Sequence, residues 1–449
     1  MPRFAAETLG AFVAGSRWDD LPHPLRHEAA RSALNVVGCA LGVAGDAAVA
    51  TAARVMAPFS GPDRVTVIGR PERLDAMGAS FVNTIAGNLL DYDDTHLETV
   101  IHPTAAVLPP LLALAERRGH TGAEVLHALN LGAEVECRIG VAVSPGHYAR
   151  GWHITSTCGV FGAAAGSARL LGLDGSRTGH ALGIAASQSA GLVENLPTAA
   201  KNVGMGNAAR NGLLAALLAE AGYEAAPAAI EGPLGWARAT GDAPELGRLL
   251  DGLGERWEFA RNTYKPYPAG IVFHAVIDAA LALRERVPAE AVAAVTVEGD
   301  QLLLDRGDRA VRNARDSRVS IHHCVAVAML RGAAGVAEFE GEAVTDPAVV
   351  ALRGKVTARL DAALPRGAAR VTLRDAGGEE HVALVHDPRG SAGRPMTDAE
   401  LEAKFRDNAA RGGWEAEAGA WIAGFWGMGG STDLGPFLRS LSGQGDAPG

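Results

Sequence analysis

The chain has 449 residues, 48% of them hydrophobic and 20% charged, so it can bury a large core spread over two or three domains. A formal net charge of −10 excludes nucleic acid as the main partner, since phosphate binding needs a basic face. No run of about 18 apolar residues suggests a membrane span, the start MPRFAAETLGAFVAG lacks a leader pattern, and the cytoplasm is the expected location.

From the start to about residue 260 the apolar spacing is helical, as in PLRHEAARSALNVVGCALGVA, AEVLHALNLGAEVECRIGVAV and GNAARNGLLAALLAEAGY. Glycine is over-represented, with 56 residues, about one in eight against roughly one in fourteen. Much of it shares helical segments with alanine, which allows helix backbones to approach closely; a GC-rich genome is the bland alternative. Cys39, Cys137, Cys158 and Cys324 are far apart with no CxxC pair, as expected of reduced, buried thiols.

After Lys265-Pro266-Tyr267-Pro268 the pattern changes. FHAVIDAALALRERV predicts a helix, AVAAVTVEGD a strand, SIHHCVAVAMLRGAAGVAEF a second helix, and AARVTLRDAGGEEHVALVHD a hairpin around Ala-Gly-Gly. From MTDAELEAKFRDNA onward the pattern is helical again, with Thr397 or Asp398 as N-cap candidates, and the SGQGDAPG tail is expected to fray. The fold class read from this is mainly α with an α+β insertion: a large all-helical domain built from both chain ends plus a smaller α+β lid domain. The expected boundaries are 1–262, 263–394 and 395–449.

Candidate chemistry concentrates at LDYDDTHLETVIHP (90–103), where Asp91, Asp93, Asp94, Thr95, His96 and His102 fall between two apolar runs. Helix 76–90 is expected to end as the acids begin, and His102-Pro103 to open the next helix, since proline suits the first helical position. An imidazole there meets backbone N–H groups and the positive end of a helix dipole, which attract anions. Solvated caps and a metal site are the competing readings, although the spacing fits no metal template. His153 in GWHITSTCG stands at another helix start. Lys201 precedes a Gly-rich helix opening, and Lys265 is held between prolines with His274 downstream. In Ser320-Ile321-His322-His323, neighbouring helical residues point about 100° apart, so at most one imidazole faces a given site. No phosphate-binding GxxxxGK[ST], no GxGxxG after a strand and no GxSxG elbow is present.

Taken together, DYDDTH…HP (91–103), GWHITSTCGVFGAAAG (151–166), KNVGMGNAARNG (201–212), YKPYPAGIVFH (264–274), SIHHCVAVAML (320–330) and AELEAKF (399–405) resemble the MmgE/PrpD family over nearly the whole chain. The resemblance implies a helical domain assembled from both chain ends, an inserted α+β lid, a homodimer, and a pocket between domains that takes a small carboxylate without metal or organic cofactor. By motif it places active-site groups at Asp91, Thr95, His102, His153, Lys201 and Lys265. It puts His323 where relatives carry a tyrosine, a change of about three units in side-chain pKa. The segment after KPYP lacks an arginine found in many relatives, and Asp93-Asp94 tilts away from 2-methylcitrate as substrate.

The expected function is a cofactor-independent lyase, dehydratase or decarboxylase, that moves a proton at carbon next to a carboxylate. His102, His153 and His323, with Asp91 and Thr95, are the catalytic candidates; Lys201, Lys265 and His274 are the substrate-binding candidates. An epimerase using the same deprotonation is the alternative. A metal-dependent hydrolase or a non-catalytic carboxylate-binding protein ranks lower.

Overall fold

The computed structural model describes residues 4–442, so the fraying expected of the terminal tail lies, beyond Ser442, outside the described residues. Two compact units emerge. One takes the chain up to Leu89, Asp93–Asn262 and the segment from Asp398; the other takes Leu90–Tyr92 and Thr263–Thr397.

The first unit is helical, as its apolar spacing predicts. Its centre is formed by α1 (Ala76–Asn88), α2 (Pro103–Arg118), α3 (Gly122–Val143), α4 (Ile154–Leu170) and α5 (Ala200–Glu220). Helix α3 starts at a capping box: Thr121 Oγ1 accepts from the Glu124 N–H at 3.2 Å, and Glu124 Oε2 accepts from the Thr121 N–H at 2.8 Å. Helices α3 and α4 are buried on nearly every face, which suits their all-round apolar composition.

Glycine makes this packing possible. A Cβ on Gly162 of α4 would lie 2.8 Å from the carbonyl oxygen of Gly132 in α3, and one on Gly212 of α5 would lie 2.4 Å from the Ala163 Cβ. The helices therefore meet backbone to backbone at these crossings, so small residues serve a packing purpose here whatever the genome's composition. The C-terminal return begins with a helix at Asp398–Arg411, where Asp398 receives hydrogen bonds from Arg31 and His27.

The second unit carries α6 (His274–Arg284), β1 (Val292–Gly299), α7 (Ile321–Arg331), β2 (Val356–Leu360), β3 (Ala369–Asp375) and β4 (Glu380–Val385); α8 (Asp398–Arg411) follows it. Its sheet has the order β2-β1-β3-β4. β1 runs parallel to β2, with Val295 opposite Val356, and antiparallel to β3, with Val297 opposite Val371. β3 and β4 form the expected hairpin, with Ala369 opposite Val385. Val295, Val297, Val371 and Leu373 form one core with α6 and α7. Helix α7 is shorter than the sequence suggests, because Gly332 at φ 64° closes it with a left-handed cap.

No helix among the described residues is long and apolar enough to cross a membrane. All four cysteines are buried and none forms a disulfide.

Candidate active site

Three helix starts meet in the first unit. His102 is the N-cap of α2 and His153 the N-cap of α4, and neither imidazole is used to cap its own helix. The His102 backbone N–H donates to Thr155 Oγ1 at 3.1 Å, which ties the start of α2 to the first turn of α4. His153 Nδ1 and Ser156 Oγ share a hydrogen bond of 2.7 Å. A Cβ on Gly204 would lie 2.8 Å from Ser156 Oγ, so the first turn of α5, which carries half-buried Lys201, approaches the same place. Helix starts expose N–H groups and partial positive charge, so their convergence with an ammonium group suits an anion.

The acidic loop divides its carboxylates among different partners. Asp93, wholly buried, lies with Oδ1 3.2 Å from His102 Nδ1 and accepts from Asn88 Nδ2 at 2.7 Å. The Asp94 carbonyl oxygen is 3.0 Å from the same ring nitrogen. A carbonyl only accepts, so Nδ1 bears the proton and the lone pair of the neutral ring resides on Nε2. Thr95 Oγ1 is 3.4 Å from Nδ1.

Asp94 turns its side chain elsewhere, accepting from Thr104 Oγ1 at 2.5 Å and Asn262 Nδ2 at 2.7 Å. Burial pushes this carboxyl up to about 7, helped by the neighbouring Asp93 charge and opposed by the Thr104 and Asn262 hydrogen bonds. Behind it, Glu136 of α3 is fully buried with neither oxygen hydrogen-bonded; burial first, then the Asp94 charge, holds its carboxyl well above the usual range. His96 lies 3.4 Å from Glu258, whose carboxyl is held down to about 2, first by the His96 hydrogen bond and then by that of Arg261 against the effect of burial. Val100 has φ 58°, a left-handed conformation that costs a β-branched residue strain, within this same loop.

The second unit holds the remaining candidates. Lys265, 1% exposed, donates from Nζ to the Asp91 carbonyl at 3.0 Å and lies 3.1 Å from its carboxylate. Asp91 has φ 54°, and Tyr92 Oη donates to the Pro266 carbonyl at 3.1 Å, so the loop is stitched to the KPYP segment at both residues. His274 opens α6, fully buried, with Nε2 3.2 Å from the Ala269 carbonyl and its ring edge-on to Tyr267.

His323 Nε2 donates to the Glu338 carbonyl at 2.8 Å, and its ring packs on Phe339. Burial lowers it to about 4, so the ring is neutral near pH 7. His322 faces away, toward Asp308 at 2.9 Å. The two adjacent imidazoles thus serve different surroundings, as helical geometry requires.

In the first unit the structure therefore brings together Thr95, His102, His153 and the helix start of Lys201; in the second it joins Asp91 to Lys265. It leaves His274 and His323 bonded to backbone carbonyls. Sequence reasoning passed over Asn88, Asn202 and Glu136, and did not assign Asp93 to His102. The available signal was a polar residue inside an apolar helical run, as in SFVNTIAGNLL. A separate group of possible metal donors, Asp375, Glu379 and His381, lies on the β3–β4 hairpin with donor atoms within 4.8 Å of one another. There Asp375 accepts from the Glu379 N–H and His381 as an ordinary turn contact.

A mainly helical scaffold that gathers buried imidazoles, a buried carboxylate and the half-buried Lys201 near its helix starts has the groups an enzyme uses for proton transfer. Residues 7–248 match the MmgE/PrpD N-terminal domain and residues 267–423 the MmgE/PrpD C-terminal domain, and the chain belongs to the MmgE/PrpD family. It is 29% identical over 381 residues to the cis-aconitate decarboxylase of Mus musculus, covering 79% of this chain and 76% of that protein. Against the cis-aconitate decarboxylase of Homo sapiens it is 29% identical over 366 residues, 77% and 75% of the two chains. An Aspergillus terreus cis-aconitate decarboxylase shares 32% over 244 residues, 51% and 50% of the two chains. The protein is accordingly a lyase of the dehydratase or decarboxylase type.

Proposed function

We propose that the protein decarboxylates a small unsaturated tricarboxylic acid of the cis-aconitate kind, without a cofactor. The observation that carries this reading is the meeting of three helix starts bearing His102, His153 and Lys201, a place where carboxylate charge is stabilised. The names of the relatives support the substrate class.

In this reading Lys201 and the helix N–H groups hold substrate carboxylates, while Lys265 is paired with Asp91 within the second unit. The C–C bond to the departing carboxylate breaks and CO₂ leaves with its two oxygens. The electron pair left behind takes a proton from an imidazolium, His102 or His153, forming a C–H bond. Thr95 and the acidic loop orient His102. His274 and His323 each donate an Nε2–H to a backbone carbonyl and hold the core around the KPYP and SIHH segments. A homodimer and a reducing, cytoplasmic setting belong to the same proposal; the buried cysteines, none in a disulfide, suit the latter.

Proton NMR in D₂O with cis-aconitate, hydroxylated tricarboxylates and aminodicarboxylates tests this directly. Loss of CO₂ with one deuteron incorporated is the expected result. Exchange of the α-proton with neither CO₂ nor water released would select the epimerase reading. Alanine at His102 or His153 should lower turnover about 10²-fold or more; unchanged turnover in the double variant would remove the assignment.

A further inference from the structure

We infer that Asn202 and Asn88 are positioning residues that hold the Asp93 carboxylate against His102 and so fix that imidazole as the Nδ1–H tautomer with a basic Nε2. The proposal deepens the lyase reading, and rests on it only for the reaction that His102 serves.

The chain of contacts runs through buried atoms of the first unit. Asn202 Nδ2 donates to Asn88 Oδ1 at 3.0 Å. Asn88 Nδ2 donates to Asp93 Oδ1 at 2.7 Å. The same Oδ1 lies 3.2 Å from His102 Nδ1. Asn88 and Asn202 are each 1% exposed and Asp93 is 0% exposed, so water does not compete for these groups.

Chemistry fixes the direction of every link. A carboxylate only accepts, so the Asn88 amide must present nitrogen to Asp93 and therefore its oxygen to Asn202. The Asp94 carbonyl, 3.0 Å from Nδ1, is a second acceptor for the same ring N–H. Two acceptors behind one nitrogen leave the neutral ring a single tautomer.

Placement adds a function to the geometry. Asn88 is the last residue of α1, and Asn202 lies in the first turn of α5 directly after Lys201. The relay thus couples the helix start that carries a carboxylate-binding ammonium to the one that carries the imidazole. A shift of α5 would move Lys201 and loosen the Asp93–His102 contact together.

Nitrogen NMR of the ring decides the matter on the full-length chain labelled with ¹⁵N-histidine, with His102 resonances assigned by their loss in H102Q. At high pH the wild type should show His102 with a protonated Nδ1 and an unprotonated Nε2. An Nε2–H tautomer would overturn the proposal, and this measurement needs no variant other than the assignment control. Asp93→Asn should mix the tautomers and lower kcat about 10²-fold with little change in KM; Asn202→Ala should lower kcat several-fold in the same direction. Asn202→Gln, which can restore an amide donor, should recover part of the loss. Equal effects on kcat and KM in Asp93→Asn, or a tautomer that ignores it, would also overturn the relay. The tautomer is read without substrate, so failure to find turnover on any tricarboxylate would count against the lyase reading alone.

Discussion

Replacing Asp94 with asparagine should make the protein's stability much less sensitive to pH between 4 and 7. The Asp94 carboxyl titrates near 3.8 in the unfolded chain and is pushed up to about 7 in the fold, chiefly by burial. Its raised folded value favours the native state fully below pH 3.8, and that advantage is lost as pH rises through about 7. At 1.36 kcal/mol per pKa unit, the loss over the whole window is about 4 kcal/mol, of which about 3 kcal/mol falls between pH 5 and pH 8. Asparagine keeps an oxygen for the Thr104 and Asn262 donors but carries no charge to bury. Urea denaturation of wild type and Asp94→Asn at both pH values gives the comparison. The gap between their midpoints should widen toward pH 8 in favour of the variant. Parallel midpoints at the two pH values would refute burial as the source of the raised value.

Gly162→Ala should destabilise the protein by about 1–3 kcal/mol through overpacking, because its Cβ would stand 2.8 Å from the Gly132 carbonyl and 2.4 Å from Glu136 Oε2; calorimetry showing an unchanged Tm would contradict the close helix crossing. Lys265→Met should destabilise the protein by less than the roughly 3–5 kcal/mol of a fully buried pair, because the Asp91 side chain is 20% exposed, and Asp91→Asn in the same chain should recover part of it. If the double variant were no better than Lys265→Met, the Asp91–Lys265 pair would not be the reason for the loss.

Much of the scaffold was legible because it depends on local patterning. Helical spacing gave the elements of the first unit, and the alternating AARVTLRD and EEHVALV runs gave the β3–β4 hairpin, since period and turn chemistry are local properties. Strand β2 escaped notice. Its five residues are largely exposed, so they show no clean alternation, and its parallel partner β1 lies about 60 residues earlier. A parallel pairing leaves no turn signal between its strands.

The site divides in the same way. His102 and His153 were identifiable as helix-start imidazoles because Pro103 and the Thr/Ser run mark those starts in sequence. Which of three neighbouring aspartates meets which partner was not identifiable. The left-handed turn at Asp91 sends consecutive carboxylates in different directions: Asp91 bonds Lys265, Asp93 meets His102, and Asp94 meets Thr104 and Asn262. Asn88 and Asn202, 114 residues apart, carry no local sign of their hydrogen bond. Their roles follow from desolvation, since a buried amide must find a partner wherever the packed helices offer one. The order of residues determined where helices begin, which faces are apolar and which side chains bring acid, base and cation. Only the packing of those helices decided which carboxylate orients the imidazole, because that depends on direction and distance between groups that are far apart in the chain.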